Sequence, residues 1–462
     1  MKANLVTVFL LIFACHYGYS QRIHFEQDSL EAVIAKARQF QKPIFIFVSG
    51  PEIPNHVPKQ MREQMAGSGF DHAEVTEAYN TQFINFKAPY RSAVGNRLSL
   101  KFSIRAFPTF LYLSPEGVLI HRNHGNYSSP KRYLDDIRSF EERLNSTYNL
   151  DHFGQEYQKG RRDADFLRQY LQLHKEMGVE PTAALLDAYA GSLSAAGIRS
   201  FSEVIFIHEF GPLVGGEAFK FARQDQRLVD SLYKSLPLAK RVDINNKIIM
   251  NTMREAITTN DRRIAEQGAG FARHTWSNDK VRGHRTYLSN MLSFYRGTSD
   301  TANYIPSAVQ YYNRYFMAIS QDSAATLVAT EKRLQQSRMA SGAAMSEKMK
   351  AVGTQQETRT ETRFEAVVSS YTMELNNAAY HMYQTGTRNK AALNQALNWS
   401  KRTIDLDPTV AYYHTYAHLL YRLEDYKGVE SAMQQAIKLS KQTKSETSWL
   451  QEALQKMKLR KL

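Results

Sequence analysis

The chain contains a single cysteine, Cys15, in 462 residues. No disulfide can close within one copy of it, and exchange between two of its own thiols is excluded. After the first twenty residues no stretch approaches 18 uninterrupted apolar residues, so no membrane-spanning helix is expected there. The patterns Gly-x-Ser-x-Gly and His-Glu-x-x-His do not occur, and no paired-carboxylate pattern stands out. Ser49-Gly50-Pro51 and Gly211-Pro212-Leu213-Val214-Gly215-Gly216 lack the lysine and spacing of a phosphate loop and read as turns. His56, His72, His121 and His124 are scattered without the spacing of a zinc site, so neither a metal nor a cofactor is expected.

What the chain does have is enough apolar content, 43%, for two to four domains with proper cores. Residues 1–20 combine Lys2, an apolar run from Leu5 to Ala14 and small residues Gly18 and Ser20, the pattern of a secretory signal peptide. Two readings of Cys15 follow. Cleavage after Ser20 leaves a soluble mature protein without a thiol, whereas a lipoprotein signal at Ile12-Phe13-Ala14-Cys15 makes Cys15 a lipid anchor; the bulk of Phe13 favours the first. The expected location is the periplasm or cell envelope, with outer-membrane association or secretion as variants. Fifty-nine Lys and Arg against 45 Asp and Glu leave a net charge of +14. These cations are dispersed along helical stretches, so a solvated surface is expected and no nucleic-acid partner.

Residues 22–146 alternate short strands and helices. Asp28 is placed to cap a helix over 29–39, with Leu30, Val33, Ile34 and Ala37 at helical spacing. The run Pro43-Ile44-Phe45-Ile46-Phe47-Val48 has no polar alternation and predicts a strand covered on both faces. Helices are expected over 58–66, 71–80, 92–102 and 129–144, a strand over 82–88, and a hairpin joining 109–113 to 118–121 through Ser114-Pro115-Glu116-Gly117. From about 147 the strand signal ends, and 147–320 read as an α-helical region, with degenerate repeats left open. Residues 321–362 are rich in Ser, Ala, Gln, Thr and charge, and predict either a long exposed helix or a mobile linker.

The final region, 363–462, carries a repeat. Leu375-Asn376-Asn377-Ala378-Ala379-Tyr380, Gly386, Ala396-Leu397 and Ile404-Asp405-Leu406-Asp407-Pro408 are followed by Tyr413, Tyr416-Ala417, Leu420, Asp425-Tyr426, Met433 and Ala436-Ile437. This order, with a period of about 34, resembles tetratricopeptide repeats, in which small residues let paired helices approach.

The order of elements in 22–146 resembles the thioredoxin-like family. The resemblance rests on Lys42-Pro43-Ile44-Phe45-Ile46-Phe47 before a loop and helix start at Lys59-Gln60-Met61, and on Ile104-Arg105-Ala106-Phe107-Pro108-Thr109-Phe110. It implies an α/β domain, a central mixed sheet flanked by helices, followed by an all-α helical-repeat region. It sets the two redox cysteines on Asn55 and Pro58, with His56 and Val57 between them; the family's buried acid falls near Phe47. Thiol exchange needs a thiolate and a resolving thiol. Neither Asn55 nor Pro58 supplies one, so no catalytic residue is assigned. The loop either simply closes the helix end, with Pro58 in its first turn, or keeps free N–H groups for an anion or peptide carbonyl. By resemblance, the segment around Pro108 matches the one that holds a cis-proline in the family, with the isomer of Pro108 itself left open, and Phe107, Pro108 and Thr109 border a peptide-binding groove.

The build also resembles envelope proteins of Bacteroidetes-type bacteria. The expected function is a non-catalytic scaffold binding proteins or peptides. The alternatives are a thiol–disulfide oxidoreductase family member with atypical or lost activity, and a protein whose repeats alone are functional.

Overall fold

The computed structural model describes residues 22–50, 68–90, 92–193, 200–276, 278–351, 369–442 and 447–461, with backbone alone over 338–351. The expected signal peptide, the helix over 58–66 and the positions Asn55, His56, Val57 and Pro58 lie outside the described residues. The described residues divide into two compact units, one before and one after the boundary at Glu180 and Pro181.

The first unit holds a small mixed sheet. Strands β1 (Phe25–Glu26), β2 (Ile44–Val48), β3 (Ile84–Ala88), β4 (Thr109–Leu113) and β5 (Leu119–His124) stand in the order β1-β3-β2-β4-β5. β3 runs parallel to both β1 and β2, pairing Phe45 with Asn85, and β4 runs antiparallel to β2 and β5, pairing Phe47 with Phe110. The unbroken apolar run behaves as its composition requires: Ile44, Phe45, Ile46 and Val48 have no exposed surface. Gly117, with φ of +85°, closes the hairpin, its N–H donating to Ser114 O at 2.9 Å.

Around the sheet lie α1 (Leu30–Phe40), α2 (Ala73–Gln82), α3 (Ala93–Lys101) and α4 (Pro130–Leu144). The cap of α1 is Ser29 rather than the expected Asp28. Its Oγ accepts from the Ala32 N–H at 3.2 Å, because the helix begins one residue later than its sequence pattern suggests. One face of the sheet is filled with aromatic rings. Phe45 packs against Phe70, Tyr79, Phe83, Phe110 and Tyr112 with centroids 4.7 to 6.2 Å apart.

The unit continues past the last strand through α5 (Leu150–Gln158) and α6 (Ala164–Met177). Arg122 on β5 gathers this extension: its Nη1 donates to Phe102 O at 2.9 Å, Met177 O at 3.2 Å and Gly178 O at 3.3 Å. The guanidinium thus satisfies carbonyls at the C-terminal end of α6 that have no partner within the helix.

Among the described residues no strand follows His124. The second unit starts with α7 (Ala183–Ser192), α8 (Phe201–Glu209), α9 (Glu217–Ala222) and α10 (Gln226–Ser235). It then runs through α11 (Leu238–Thr259), α12 (Arg262–His274), α13 (Lys280–Gly297), α14 (Thr301–Tyr312) and α15 (Gln321–Ala351). Of the two readings of 321–362, the helix is the one observed over Gln321–Ala351; Ala324 and Val328 turn into the core while most other positions to 337 are exposed. Two helix pairs follow Ser369: α16 (Ser370–Gln384) with α17 (Lys390–Leu406), and α18 (Val410–Arg422) with α19 (Tyr426–Gln442). A fifth helix, α20 (Ser448–Lys458), follows. One apolar cluster runs from Met253 on α11 to Leu419 on α18, and its alanines Ala265, Ala269, Ala378, Ala379 and Ala396 allow close helix contact.

A π-helical turn, Asn313–Met317, follows α14. Its first residue accepts from the fully buried Trp399, indole Nε1 to Asn313 Oδ1 at 2.9 Å. Arg402 on α17 covers the carbonyls beyond it, donating to Met317 O at 3.1 Å and Ser320 O at 3.2 Å and also to Ile319 O. Glu331 on α15 caps α16, accepting from Ser370 Oγ at 2.6 Å, from Ser369 Oγ and from the Tyr371 N–H at 3.4 Å.

Candidate functional site

Three chain segments converge where β2 and β3 end and β4 begins. Ser49 extends the parallel pairing, its N–H donating to Ala88 O at 3.0 Å, and Ser49 Oγ accepts from the Tyr90 N–H at 3.2 Å. The Phe107–Pro108 peptide bond is cis. The Phe107 ring meets Tyr90 edge to face with centroids 5.0 Å apart. Gly50 lies against this bend: a side-chain Cβ there would stand 3.5 Å from Phe107 Cβ and 3.7 Å from Pro108 N.

The turn is held from behind. Thr109 Oγ1 donates to Ala106 O at 2.6 Å, and the Gly125 N–H donates to Pro108 O at 2.8 Å. Phe107, Pro108 and Tyr90 are half-buried, whereas Thr109 is 1% exposed. Of the three residues expected to border a groove, Phe107 and Pro108 thus offer surface, and Thr109 supports them from inside. The rim contributed by Tyr90 carries no motif and was not expected from sequence.

The position where the resemblance implies a buried acid is occupied by an aromatic cluster. The Phe47 ring lies 5.6 Å from Phe110, 5.5 Å from Phe70 and 6.1 Å from Phe25, centroid to centroid. No general acid or base can act from that side chain.

Polar groups deeper in the unit are paired among themselves. The Tyr79 hydroxyl donates to Tyr133 O at 3.2 Å and lies 2.6 Å from the Tyr112 hydroxyl; burial pushes both phenols well above their usual range. The buried Asp136 accepts from Asn123 Nδ2 at 2.9 Å and meets His121 Nε2 at 3.1 Å. This aspartate–histidine pair adjoins the Tyr112 ring, which is no nucleophile for it. Both networks join residues remote in sequence, and no local pattern signals them.

Two clefts are more open. One, of about 220 Å³, is lined by His24, Lys36, Lys42 and Asn85 and spanned by the Lys36–Glu26 pair at 2.6 Å. The other, of about 310 Å³, lies between α19 and α20 beside the Lys458–Glu430 pair at 2.6 Å. Neither includes a residue of the Phe107 bend.

Among the described residues no three His, Cys, Asp or Glu side chains converge on a common point for a metal, and no helix is long and apolar enough to cross a membrane. Comparison of the sequence with models of known families and with curated proteins finds no match to either.

Proposed function

We propose that this chain is an exported, redox-inactive thioredoxin-like protein with tetratricopeptide-like repeats, acting as a protein- or peptide-binding scaffold of the cell envelope. The observation that carries the reading is the half-buried aromatic bend at Phe107, packed edge to face on Tyr90 beside the end of β2 in a mixed sheet. A central mixed sheet with this segment before its edge hairpin is what the resemblance implies. The bend has an aromatic rim, Phe107 against Tyr90, on which an apolar side chain of an extended peptide can rest. The only cysteine is Cys15, so a peptide held there meets no thiol from residues 22–462.

The helical stack offers a second surface for the same task, since paired helices in series present continuous grooves to partners. The alternative is a thiol–disulfide oxidoreductase that borrows its thiol from a partner.

A photo-crosslinking residue in place of Phe107 in the mature protein, expressed in an envelope-bearing host, is expected to capture partners. Phe107→Asp should prevent capture by a crosslinker at Tyr90. Measurable reduction of insulin by the purified protein would replace the scaffold reading with the enzymatic one. No capture from either position would end it.

A further inference from the structure

His414 and His418 stand four residues apart on α18, which places them on one face of the helix. Their ring centroids are 4.3 Å apart. His418 Nδ1 lies 2.9 Å from His414 O, and because a carbonyl only accepts, Nδ1 carries the proton and Nε2 keeps its lone pair. This is the arrangement of metal-ligating histidines, in which the second ring nitrogen donates to a backbone carbonyl and fixes the tautomer. Among the described residues neither ring nitrogen of His414 has a hydrogen-bond partner, and His418 Nε2 has none. Tyr383 and Tyr380 wall the His418 side at 4.8 and 6.0 Å, and Trp449, 46% exposed, stands 5.1 Å from His414 toward solvent.

We propose that His414 and His418 form a two-imidazole site for a divalent transition-metal ion of the copper, nickel and zinc class, with water in the remaining positions. Two imidazoles at this helical spacing supply adjacent ligands in the zinc motif His-Glu-x-x-His. Here His414-Thr415-Tyr416-Ala417-His418 keeps the spacing and lacks the glutamate, so the site binds without a general base for hydrolysis. Copper(II) suits two adjacent nitrogens with water completing a tetragonal field, and it binds nitrogen sites most tightly in the first-row series. Arg422, four residues beyond His418 and stacked over Tyr383 at 4.8 Å, adds a positive charge that weakens binding.

The test is titration of the full mature chain with copper(II) in a glycine buffer, followed by tryptophan fluorescence and by electron paramagnetic resonance. The expected result is one tightly bound ion per chain, quenching of Trp449 and hyperfine structure from two imidazole nitrogens. His414→Gln and His418→Gln should each weaken binding about tenfold or more. Arg422→Gln should tighten it, and Trp449→Phe should remove the quenching while binding persists. Binding equal to wild type in both histidine variants, or a wild-type spectrum without two imidazoles, overturns the site. Should His418→Gln fail to fold, the wild-type spectrum and the half-buried His414 variant decide the question.

Discussion

The hydroxyl oxygens of Tyr79 and Tyr112 lie 2.6 Å apart in the aromatic core of the first unit. Tyr79 gives its proton to Tyr133 O, so Tyr112 is the donor between the two phenols. Tyr79→Phe leaves the buried Tyr112 hydroxyl without its acceptor, while the Tyr133 carbonyl keeps its place in the α4 ladder, and should cost roughly 1–3 kcal/mol. Tyr112→Phe removes one donor and should cost less. Urea unfolding of the two variants and the double variant checks this, with the double variant expected to fall short of the sum of the singles.

Arg402 is 9% exposed and holds the carbonyls that follow the π-helical turn. Arg402→Met should destabilise the second unit by roughly 3 kcal/mol, the scale of losing charge-assisted bonds while carbonyls stay buried. Arg402→Lys should restore little, because a single ammonium cannot span the same carbonyls as a planar fork. Thermal unfolding followed by circular dichroism separates the three proteins.

His208 is fully buried, its Nδ1 donating to Val204 O at 2.7 Å and its Nε2 enclosed without a partner. Burial lowers its pKa from 6.5 to about 4. Unfolded chains therefore bind a proton that the folded unit refuses between these values. The stability it contributes is complete above about pH 6.5 and is lost as pH falls toward 4. The melting temperature should drop across that window, and His208→Asn should flatten the slope. An unchanged slope would place the acid sensitivity elsewhere.

A side chain at Gly95 would put its Cβ 2.3 Å from Pro89 O, where Ser92 Oγ also donates at 2.7 Å. Gly95→Ala should therefore shift the Pro89–Tyr90 segment, costing about 1–3 kcal/mol and lowering crosslinking at the Phe107 bend. The control is Gly191→Ala in α7, where nothing lies within 4 Å and a small gain from helix propensity is expected. Equal behaviour of the two variants in chemical unfolding would contradict the predicted close contact.

Much of the first unit was legible because its signals are local. A run as short as Pro43 to Val48, rich in Ile, Phe and Val and closed by Gly50, favours a strand covered on both faces, and Ser114-Pro115-Glu116-Gly117 favours a turn. The alanine and aromatic spacing of 371–440 likewise announced paired helices. The cap of α1 was misplaced by one residue because Asp28 and Ser29 are both competent acceptors, and only the path of the backbone selects between them. At the candidate site Phe107 and Pro108 were legible through resemblance, while Tyr90 was not: its contact with Phe107 spans seventeen positions and repeats no pattern.

The sequence by itself determined that residues 22–462 contain no thiol, and it located most of the described strands and helices of residues 22–146 to within one or two positions, since composition and period are local properties. Tertiary structure alone decided which buried polar groups meet. Tyr79 finds Tyr112, Arg122 reaches the end of α6, and Arg402 covers carbonyls more than eighty residues earlier. Each of these depends on the packing of distant segments, because a buried donor or acceptor must find its partner wherever the fold brings one within about 3 Å.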